Sequence, residues 1–396
     1  MKYNFDNVID RRNTASLKWD ATEERFGDEN LLPLWVADMD FKAPDEVIQA
    51  IQAQAEHGIF GYMKGMDNYY NSIIHWMKKR HNWAVKKEWI CHSPGIVSAL
   101  ALIVQAFSKP GDKIIVQPPI YYPFMNMIEN HERQIVYNPL LYNEGKYEMD
   151  FDDLVSKIDS SVKMLFLCNP HNPGGRVWSR EELERLGTIC SEHGVLVISD
   201  EIHADHVYKP SKYTPFAAIS ETFSDNSIIC TAPSKTFNLA GLQTSNIIIS
   251  NEALREKFVA ETDRYGIGML NSFGPAATEA AYTYGEQWLD ECIDYVHENL
   301  QFVTKYFEEH LPALKVLPLE STYLAWIDCR ELGLTKEELE KLFLTKAKVA
   351  LNQGYIFGPG GDGFVRMNLA CPLSIVEKAA EQIEKSVKMT LANNPV

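Results

Sequence analysis

The sequence has no apolar run that approaches the roughly 20 residues needed to cross a bilayer, and its N-terminal stretch MKYNFDNVIDRRNTASLKWD has no signal-peptide core. Positive charge is scarce: 38 Lys and Arg face 54 Asp and Glu, giving a net charge of -16 at pH 7. An acidic chain is not attracted to nucleic acid or to an anionic membrane, so we expect neither as a partner. The seven cysteines include no C-x-x-C pair, which argues against a disulfide framework or a zinc site and predicts reduced thiols in the cytoplasm.

The middle of the chain alternates compact apolar runs with amphipathic stretches. A capping box, Ser179 with Glu182, opens a helix that ends at Gly194. The apolar runs of strand type are 163–168, 195–199, 227–230 and 246–250. Continuous apolar strands separated by helices are typical of a buried parallel sheet, so the sequence predicts an α/β fold with a mostly parallel sheet flanked by helices.

The 396 residues exceed the roughly 100–200 of an ordinary domain, so we expect two domains. The C-terminal third does not show the alternation of strands and helices seen in the middle of the chain. It is predicted to contain a long helix at 288–309 and strands near 323–328 and 364–369. A further helix is predicted at 336–346, after the capping box Thr335 and Glu338. We predict a large domain over 46–285. Residues 1–45 and 286–396 are predicted to form a smaller α+β domain.

Polar side chains follow three of the predicted strands. Asn172 follows the first strand, Asp200 the second and Lys235 the third. Carboxyl ends of parallel strands meet at one edge of a sheet, where ligands bind, so an amide, an acid and a lysine are expected to converge there.

That set suits pyridoxal 5'-phosphate. A buried lysine of lowered pKa, Lys235, is a good amine nucleophile for an aldehyde. A carboxylate, Asp200, keeps a pyridine nitrogen protonated, and the Asn172 amide can bond the phenolic oxygen of the ring. Each feature alone has a commonplace interpretation: a surface lysine, a turn, or a helix cap.

The remaining parts of a cofactor site are also present in the sequence. The turn Gly95-Ile96-Val97 leads into an apolar helix, whose first N–H groups can bind a phosphate. Ser234 and Thr231 add hydroxyl groups. Tyr121 is a candidate to stack on the ring.

The order of these residues, with Arg366 after them, resembles the fold-type I, aspartate-aminotransferase-like enzymes that use pyridoxal 5'-phosphate. The resemblance covers nearly the whole chain and narrows to the MalY/PatB group of cystathionine β-lyases (cysteine-S-conjugate β-lyases). The stretches that carry it are PLWVADMDF (33–41), GYMKG (61–65), NPHNPGGRVW (169–178), SDEIHADHVY (199–208), SKTFNLAGLQTS (234–245) and GDGFVRMNLACP (361–372).

The resemblance implies a role for each matching residue. Lys235 is the Schiff-base and catalytic lysine, Asp200 pairs with the pyridine nitrogen, and Tyr121 is a catalytic residue stacked on the ring. Arg366 binds the substrate α-carboxylate, with Ala37 and Asn172 also contacting the substrate. Tyr62 resembles the tyrosine that reaches the phosphate of the neighbouring subunit, which implies a homodimer.

Two positions depart from the general aminotransferase pattern. His203 stands where a tyrosine usually contacts the phenolic oxygen, and this is typical of the β-lyase group. Gln243 stands where an arginine usually binds the phosphate, which leaves that charge less neutralised.

Two other patterns have simpler interpretations. GPGGDG (358–363) fits G-x-G-x-x-G, but it precedes an apolar strand instead of opening a helix, so we expect a turn. Close neighbours such as Asp200, Glu201, His203 and Asp205 point in several directions along a regular element, so we expect no metal site.

The predicted function is carbon–sulfur β-elimination from a small sulfur amino acid such as L-cystathionine, which gives a thiol (homocysteine), pyruvate and ammonia. Two alternatives remain open at this point. One is an aminotransferase, which shares the same residues. The other is a regulatory or binding protein on the same fold, against which the intact set of site residues argues.

Overall fold

The computed structural model describes residues 2–393 and is built around a seven-stranded sheet. Its strands are β1 (Ile90–Ser93), β2 (Lys113–Val116), β3 (Gln134–Tyr137), β4 (Val162–Cys168), β5 (Leu196–Asp200), β6 (Ser227–Thr231) and β7 (Ser245–Ile248). Their order across the sheet is β1-β7-β6-β5-β4-β2-β3. Helices flank the sheet, and the longer ones are α1 (Asp45–His57), α2 (Asp67–His81), α3 (Ile96–Phe107), α4 (Pro123–Asn130), α5 (Arg180–Glu192), α6 (Glu252–Arg264), α7 (Phe273–Tyr284), α8 (Glu286–His310) and α9 (Leu373–Asn393).

The central strands are apolar throughout because both of their faces are covered. Along β4, Met164 and Phe166 belong to one hydrophobic cluster, whereas Leu165 and Leu167 belong to the other. All four side chains are fully buried or nearly so. The continuous apolar run therefore follows from burial of the sheet between two helical layers.

The mostly parallel sheet predicted from the sequence is confirmed: β2 to β6 are parallel to their neighbours within this group, and β7 is the exception. β7 is antiparallel to both β1 and β6. A parallel connection needs a crossover that is usually a long helix, but residues 232–244 form only the short turns Pro233–Thr236 and Ala240–Leu242. The chain therefore leaves the carboxyl end of β6 and enters β7 at the same edge of the sheet. Lys235 lies in this short connection, so it stays at the carboxyl ends of the parallel strands.

The C-terminal part forms a second, antiparallel sheet in the order β8 (Lys315–Val316), β9 (Leu324–Asp328), β11 (Phe364–Asn368) and β10 (Asn352–Gln353). The N-terminal segment pairs with this part, because Leu32–Pro33 runs parallel to Val349–Ala350. The smaller α+β architecture is thus confirmed, while the division of the chain near residue 285 stays a prediction.

Two helices begin at the residues predicted from the sequence. Ser179 and Thr335 both form the predicted capping boxes. The helix predicted over 336–346 is α-helical only over Lys336–Lys341 and continues as a π-helix over Leu342–Ala347, so its regular part is shorter than expected.

No helix within residues 2–393 is long and apolar enough to cross a membrane.

Candidate active site

The ends of β4, β5 and β6 open onto one cavity of about 150 Å³. Because these strands are parallel, the polar residues that follow them meet at this edge, as predicted. The predicted site residues that line the cavity are Ala37, Gly95, Ile96, Val97, Tyr121, Asn172, Asp200, His203, Ser234 and Lys235. Thr231 does not line it, and its hydroxyl donates to the Asn246 carbonyl instead.

Lys235 lies in the turn after β6, and its ε-amino group donates a hydrogen bond to the carbonyl oxygen of Ala37 at 2.6 Å. Burial lowers the pKa of Lys235 to about 8. The cause is the cost of holding a charged amine away from water, which the carboxylates of Asp38 and Asp200 only partly offset. At pH 7 about a tenth of an amine with this pKa is neutral and nucleophilic, far more than of an ordinary lysine.

Asp200 ends β5 and is almost completely buried. One carboxylate oxygen accepts the N–H of Ile202 at 3.1 Å. Burial raises the pKa of Asp200 to about 7, because this single bond and the more distant Lys235 do not fully stabilise the charge. A cationic N–H donor in the cavity would satisfy this carboxylate.

Arg366 lies on β11 of the smaller sheet and reaches toward the cavity wall. Its guanidinium donates to Asn172 Oδ1 at 2.9 Å, to Asn352 Oδ1 at 2.6 Å and to the Trp35 carbonyl at 3.2 Å. Burial lowers the pKa of Arg366 to about 10, and within residues 2–393 it has no carboxylate partner. A buried arginine held only by neutral acceptors is suited to receive a carboxylate.

His203 is buried, and its Nδ1 atom has no hydrogen-bond partner in the described part of the chain. Burial lowers the pKa of His203 well below its usual value, so the ring is neutral.

Tyr121 packs against two aromatic rings. Its ring centroid lies 5.6 Å from that of Tyr122 and 6.0 Å from that of Phe124. Burial also raises the pKa of Tyr121, so its hydroxyl stays protonated.

The start of α3 forms the opposite wall. Gly95 is the N-cap of this helix and Ile96 its first residue. A side chain added at Gly95 would meet nothing within 4 Å, so there is open space beside this N-cap residue, which lines the cavity with Ile96 and Val97. This is an arrangement that binds phosphate.

Two further residues that the sequence singled out, Tyr62 and Gln243, lie outside the cavity, as Arg366 and Thr231 do. Tyr62 is 95% exposed, far more than any residue of the cavity wall. Gln243, at the position usually held by arginine, is also exposed and has a left-handed backbone conformation. No arginine is found among the residues that line the cavity in the described part of the chain.

Sequence reasoning did not single out Cys168, which also lines the cavity. Its thiol donates to the Pro170 carbonyl and accepts the Asn172 N–H, both at 3.3 Å. Cys168 thereby fixes the turn that presents the Asn172 amide. The sequence indicates only that Cys168 is the last residue of an apolar strand. Its hydrogen bonds to Pro170 and Asn172 depend on the shape of the turn that follows, which the sequence pattern does not give.

The simpler interpretation of GPGGDG is confirmed by its position in the chain. GPGGDG forms turns between the short helix Gly354–Phe357 and β11, as predicted. Among residues 2–393, no group of three or more His, Cys, Asp and Glu side chains is arranged to hold a metal ion.

Known proteins are similar to this chain over nearly its whole length. The chain is 47% identical to the cystathionine beta-lyase PatB of Bacillus subtilis (strain 168), over 97% of this chain and 100% of that one. Among solved structures it is similar to cystalysin from Treponema denticola, which contains a pyridoxal 5'-phosphate cofactor, with a TM-score of 0.95, 39% identity and coverage of 98% and 100%. It is also similar to the PLP-bound C-S lyase from Staphylococcus hominis, with a TM-score of 0.91, 35% identity and coverage of 97% and 98%.

The family comparison agrees with the fold and with the cavity at the strand ends. The model of aminotransferase class I and II matches residues 29–383, which include both sheets and every residue of the cavity. The chain therefore belongs to the aminotransferase class I and II family.

Proposed function

We propose that this protein is a carbon–sulfur β-lyase that uses pyridoxal 5'-phosphate to cleave L-cystathionine or a related cysteine S-conjugate. The observation that carries the proposal is the full-length similarity to cystathionine beta-lyase PatB, together with the convergence of Lys235, Asp200 and Asn172 on one cavity. The products are a thiol, pyruvate and ammonia.

The residues of the cavity fit this cofactor. Among residues 2–393 the buried Asp200 carboxylate has no cationic partner within hydrogen-bond distance, and a protonated pyridine nitrogen would supply one. The unpartnered His203 Nδ1 and the Asn172 amide suit the phenolic oxygen. The start of α3 with Ser234 suits the phosphate.

Lys235 has two successive tasks in this proposal. As a neutral amine it would hold the cofactor by its aldehyde carbon. As a free amine it would act as a general base and remove the Cα proton of the substrate. The Ala37 carbonyl, 2.6 Å from the amine, holds the free lysine at the edge of the cavity.

Arg366 orients the substrate by binding its α-carboxylate through two parallel hydrogen bonds. When bound, pyridoxal 5'-phosphate supplies a ring that stabilises negative charge at the substrate Cα. The Cα proton goes to Lys235, the Cβ–S bond breaks, and the thiolate leaves with the bonding electron pair. The remaining 2-aminoacrylate reacts with one water molecule to give pyruvate and ammonia.

We also propose that the enzyme is a homodimer in which Tyr62 reaches the phosphate in the neighbouring subunit. Tyr62 has no cavity of its own to fill, since it is 95% exposed beside Ile59 and Phe60, which are 73% and 61% exposed. A cluster of exposed large apolar side chains supports an interface.

We propose that the enzyme works in the cytoplasm. All seven cysteines are buried free thiols, and this state supports a reducing compartment.

The proposal is tested by incubating the cofactor-loaded protein with L-cystathionine, without any keto acid, while pyruvate, ammonia and free thiol are measured together. Equimolar and continuing release of all three is expected, and a Lys235→Ala variant should abolish it. Conversion of the cofactor to its amine form, reversed by a keto acid and without thiol release, would instead identify an aminotransferase.

A further inference from the structure

A buried tyrosine, Tyr323, shares a hydrogen-bond acceptor with Lys235. The Tyr323 hydroxyl donates to the carbonyl oxygen of Ala37 at 3.0 Å, and the Lys235 ε-amino group donates to the same oxygen at 2.6 Å. A carbonyl oxygen has two lone pairs, so these two donors occupy both of them. Tyr323 directly precedes β9 and does not line the cofactor cavity, which is the cavity that contains Lys235.

The backbone before Tyr323 is held in an uncommon conformation. Thr322 has a φ angle of 69°, in the left-handed region, which is an outlier for a β-branched residue. Its N–H donates to the His206 carbonyl at 2.8 Å, and its own carbonyl accepts the Tyr208 hydroxyl at 2.6 Å. Such outliers persist where the surroundings fix them, and they concentrate at functional sites. The conformation of Thr322 therefore points to a function for the residue that it places, Tyr323.

The Tyr323 ring also contacts the residues around the lysine. It lies edge-on to the rings of His203 and His206, with centroids 5.8 and 5.1 Å away. His206 Nε2 donates to the Lys235 carbonyl at 2.9 Å, since a carbonyl can only accept. Burial raises the pKa of the Tyr323 hydroxyl well above its usual value, so this group stays protonated and acts as a donor to Ala37.

Other ionisable side chains face the Lys235 amine from several elements. Two are carboxylates that favour its charged form, one is a guanidinium that disfavours it, and two are neutral imidazole rings: Asp38, Asp200, Arg366, His203 and His206. Within residues 2–393 the amine makes one hydrogen bond, to the Ala37 carbonyl. A group that changes this carbonyl as an acceptor therefore acts on the amine through its direct partner.

We propose that Tyr323 is a positioning residue for Lys235: its hydroxyl occupies one lone pair of the Ala37 carbonyl, fixes the direction in which the free amine is held, and weakens the bond from the ammonium form to that carbonyl. The phenol proton draws electron density from the oxygen, and a charged donor loses more from this than a neutral one does. The neutral amine is thereby favoured. The consequence for catalysis rests on the proposed lyase function, in which free Lys235 removes the Cα proton.

The first test uses the cofactor-free protein and does not depend on activity. Acetic anhydride reacts with neutral amines, so the labelling rate of Lys235 against pH, measured by peptide mass spectrometry, gives the pKa of this amine. Labelling of Lys42, which is exposed on the surface, corrects for the reagent. Tyr323→Phe should raise the pKa of Lys235 by about half a unit to one unit, as expected for the loss of one neutral hydrogen bond.

Tyr69→Phe is the matched control. Tyr69 is also completely buried and its hydroxyl donates to Asn246 Oδ1 at 3.1 Å, but it does not line the cofactor cavity. This variant should leave the pKa of Lys235 unchanged. An unchanged or lowered pKa in Tyr323→Phe would overturn the inference, as would an equal rise in both variants.

The second test follows L-cystathionine cleavage by the cofactor-loaded enzyme. Because kcat depends on neutral Lys235, its rise with pH should move to higher pH in Tyr323→Phe. At pH 7 kcat should fall about three- to tenfold and recover above about pH 9, with KM little changed. A loss of kcat that persists at high pH would mean that Tyr323 acts through packing, against the inference. Absence of thiol release from the wild type would overturn the lyase function, while labelling of the cofactor-free protein would still decide the role of Tyr323.

Discussion

Asp200 is a buried acid whose pKa is raised, and its charge has no cationic partner at hydrogen-bond distance within residues 2–393. Its pKa of about 7 lies above the ordinary value of 3.8, so the folded chain without cofactor binds this proton more tightly than the unfolded chain does. Stability therefore falls as pH rises from about 4 to about 7, and the full cost is present above pH 7. Three pKa units correspond to about 4 kcal/mol.

An Asp200→Asn variant removes this cost. Without cofactor, it should be more stable than the wild type at pH 8 by up to about 4 kcal/mol, and the difference should shrink toward pH 4. Urea unfolding at several pH values measures this. With cofactor the order should reverse, because the asparagine cannot pair with a protonated pyridine nitrogen. A pH-independent difference would contradict the buried, charged state of Asp200.

Arg366 offers a second test at the scale of one residue. Lysine cannot form two parallel hydrogen bonds to a carboxylate, so Arg366→Lys should lower kcat/KM for L-cystathionine about a hundredfold, chiefly by raising KM. Arg330→Lys is the control: Arg330 is bidentate to Asp328, at 2.9 and 2.6 Å, but does not line the cofactor cavity. Comparable losses in the two variants would argue against a substrate contact at Arg366.

The chemical types in the site were predictable from the sequence, whereas their supporting contacts were not. Lys235, Asp200 and Asn172 each follow an apolar strand, and strand ends of a parallel sheet meet by necessity. The bonds from Arg366 to Trp35 and Asn352 join segments that no local pattern connects. Such long-range contacts depend on packing of the small sheet against the large one.

At the scale of elements, residues 36–41 form a loop that carries the Ala37 carbonyl into the site. Buried charges fix this loop from the N-terminal side. Lys18 is completely buried and its amino group lies 2.7 Å from Asp40, while Arg11 bonds both Asp38 and Asp40 at 2.7 Å. From the other side, Asn368 donates to the carbonyls of Val36 and Asp38, each at 2.6 Å.

Removing Lys18 from this cluster leaves two carboxylates, Asp38 and Asp40, against the single positive charge of Arg11. Lys18→Met should lower the free energy of unfolding by about 3–5 kcal/mol, and adding Asp40→Asn should restore part of it. Lys42→Met serves as the comparison, because Lys42 pairs with Asp45 on the surface at 3.1 Å and should cost less than about 1 kcal/mol. If the double variant were no more stable than Lys18→Met, the ion pair would not be the cause.

Most elements of the large sheet were predictable from apolar runs, because burial on both faces leaves an unbroken pattern. The direction of β7 was not predictable from its composition, since Asn246–Ile248 is as apolar and as buried as a parallel strand. Direction is set by the connection instead. The π-helix at Leu342–Ala347 was also not predictable from the sequence, because its residues are equally compatible with an α-helix.

At the scale of the whole molecule, one chain holds the cofactor cavity but leaves Tyr62 in solvent. If Tyr62 completes the site of the neighbouring subunit, an inactive variant and an impaired variant should complement each other. Lys235→Ala destroys the site in its own subunit, and Tyr62→Ala impairs the site in the partner. In a mixed dimer, the subunit that keeps Lys235 also receives Tyr62 from its partner.

Random mixing of the two variants makes half of the dimers mixed, each with one intact site, so roughly a quarter of wild-type lyase activity should return. Activity is measured after the refolded mixture has been loaded with cofactor. Mixing Lys235→Ala with Asp200→Ala is the control, because both residues serve the same cavity of one chain and no intact site can form. Equal recovery in the two mixtures, or none in either, would place Tyr62 outside the partner's site.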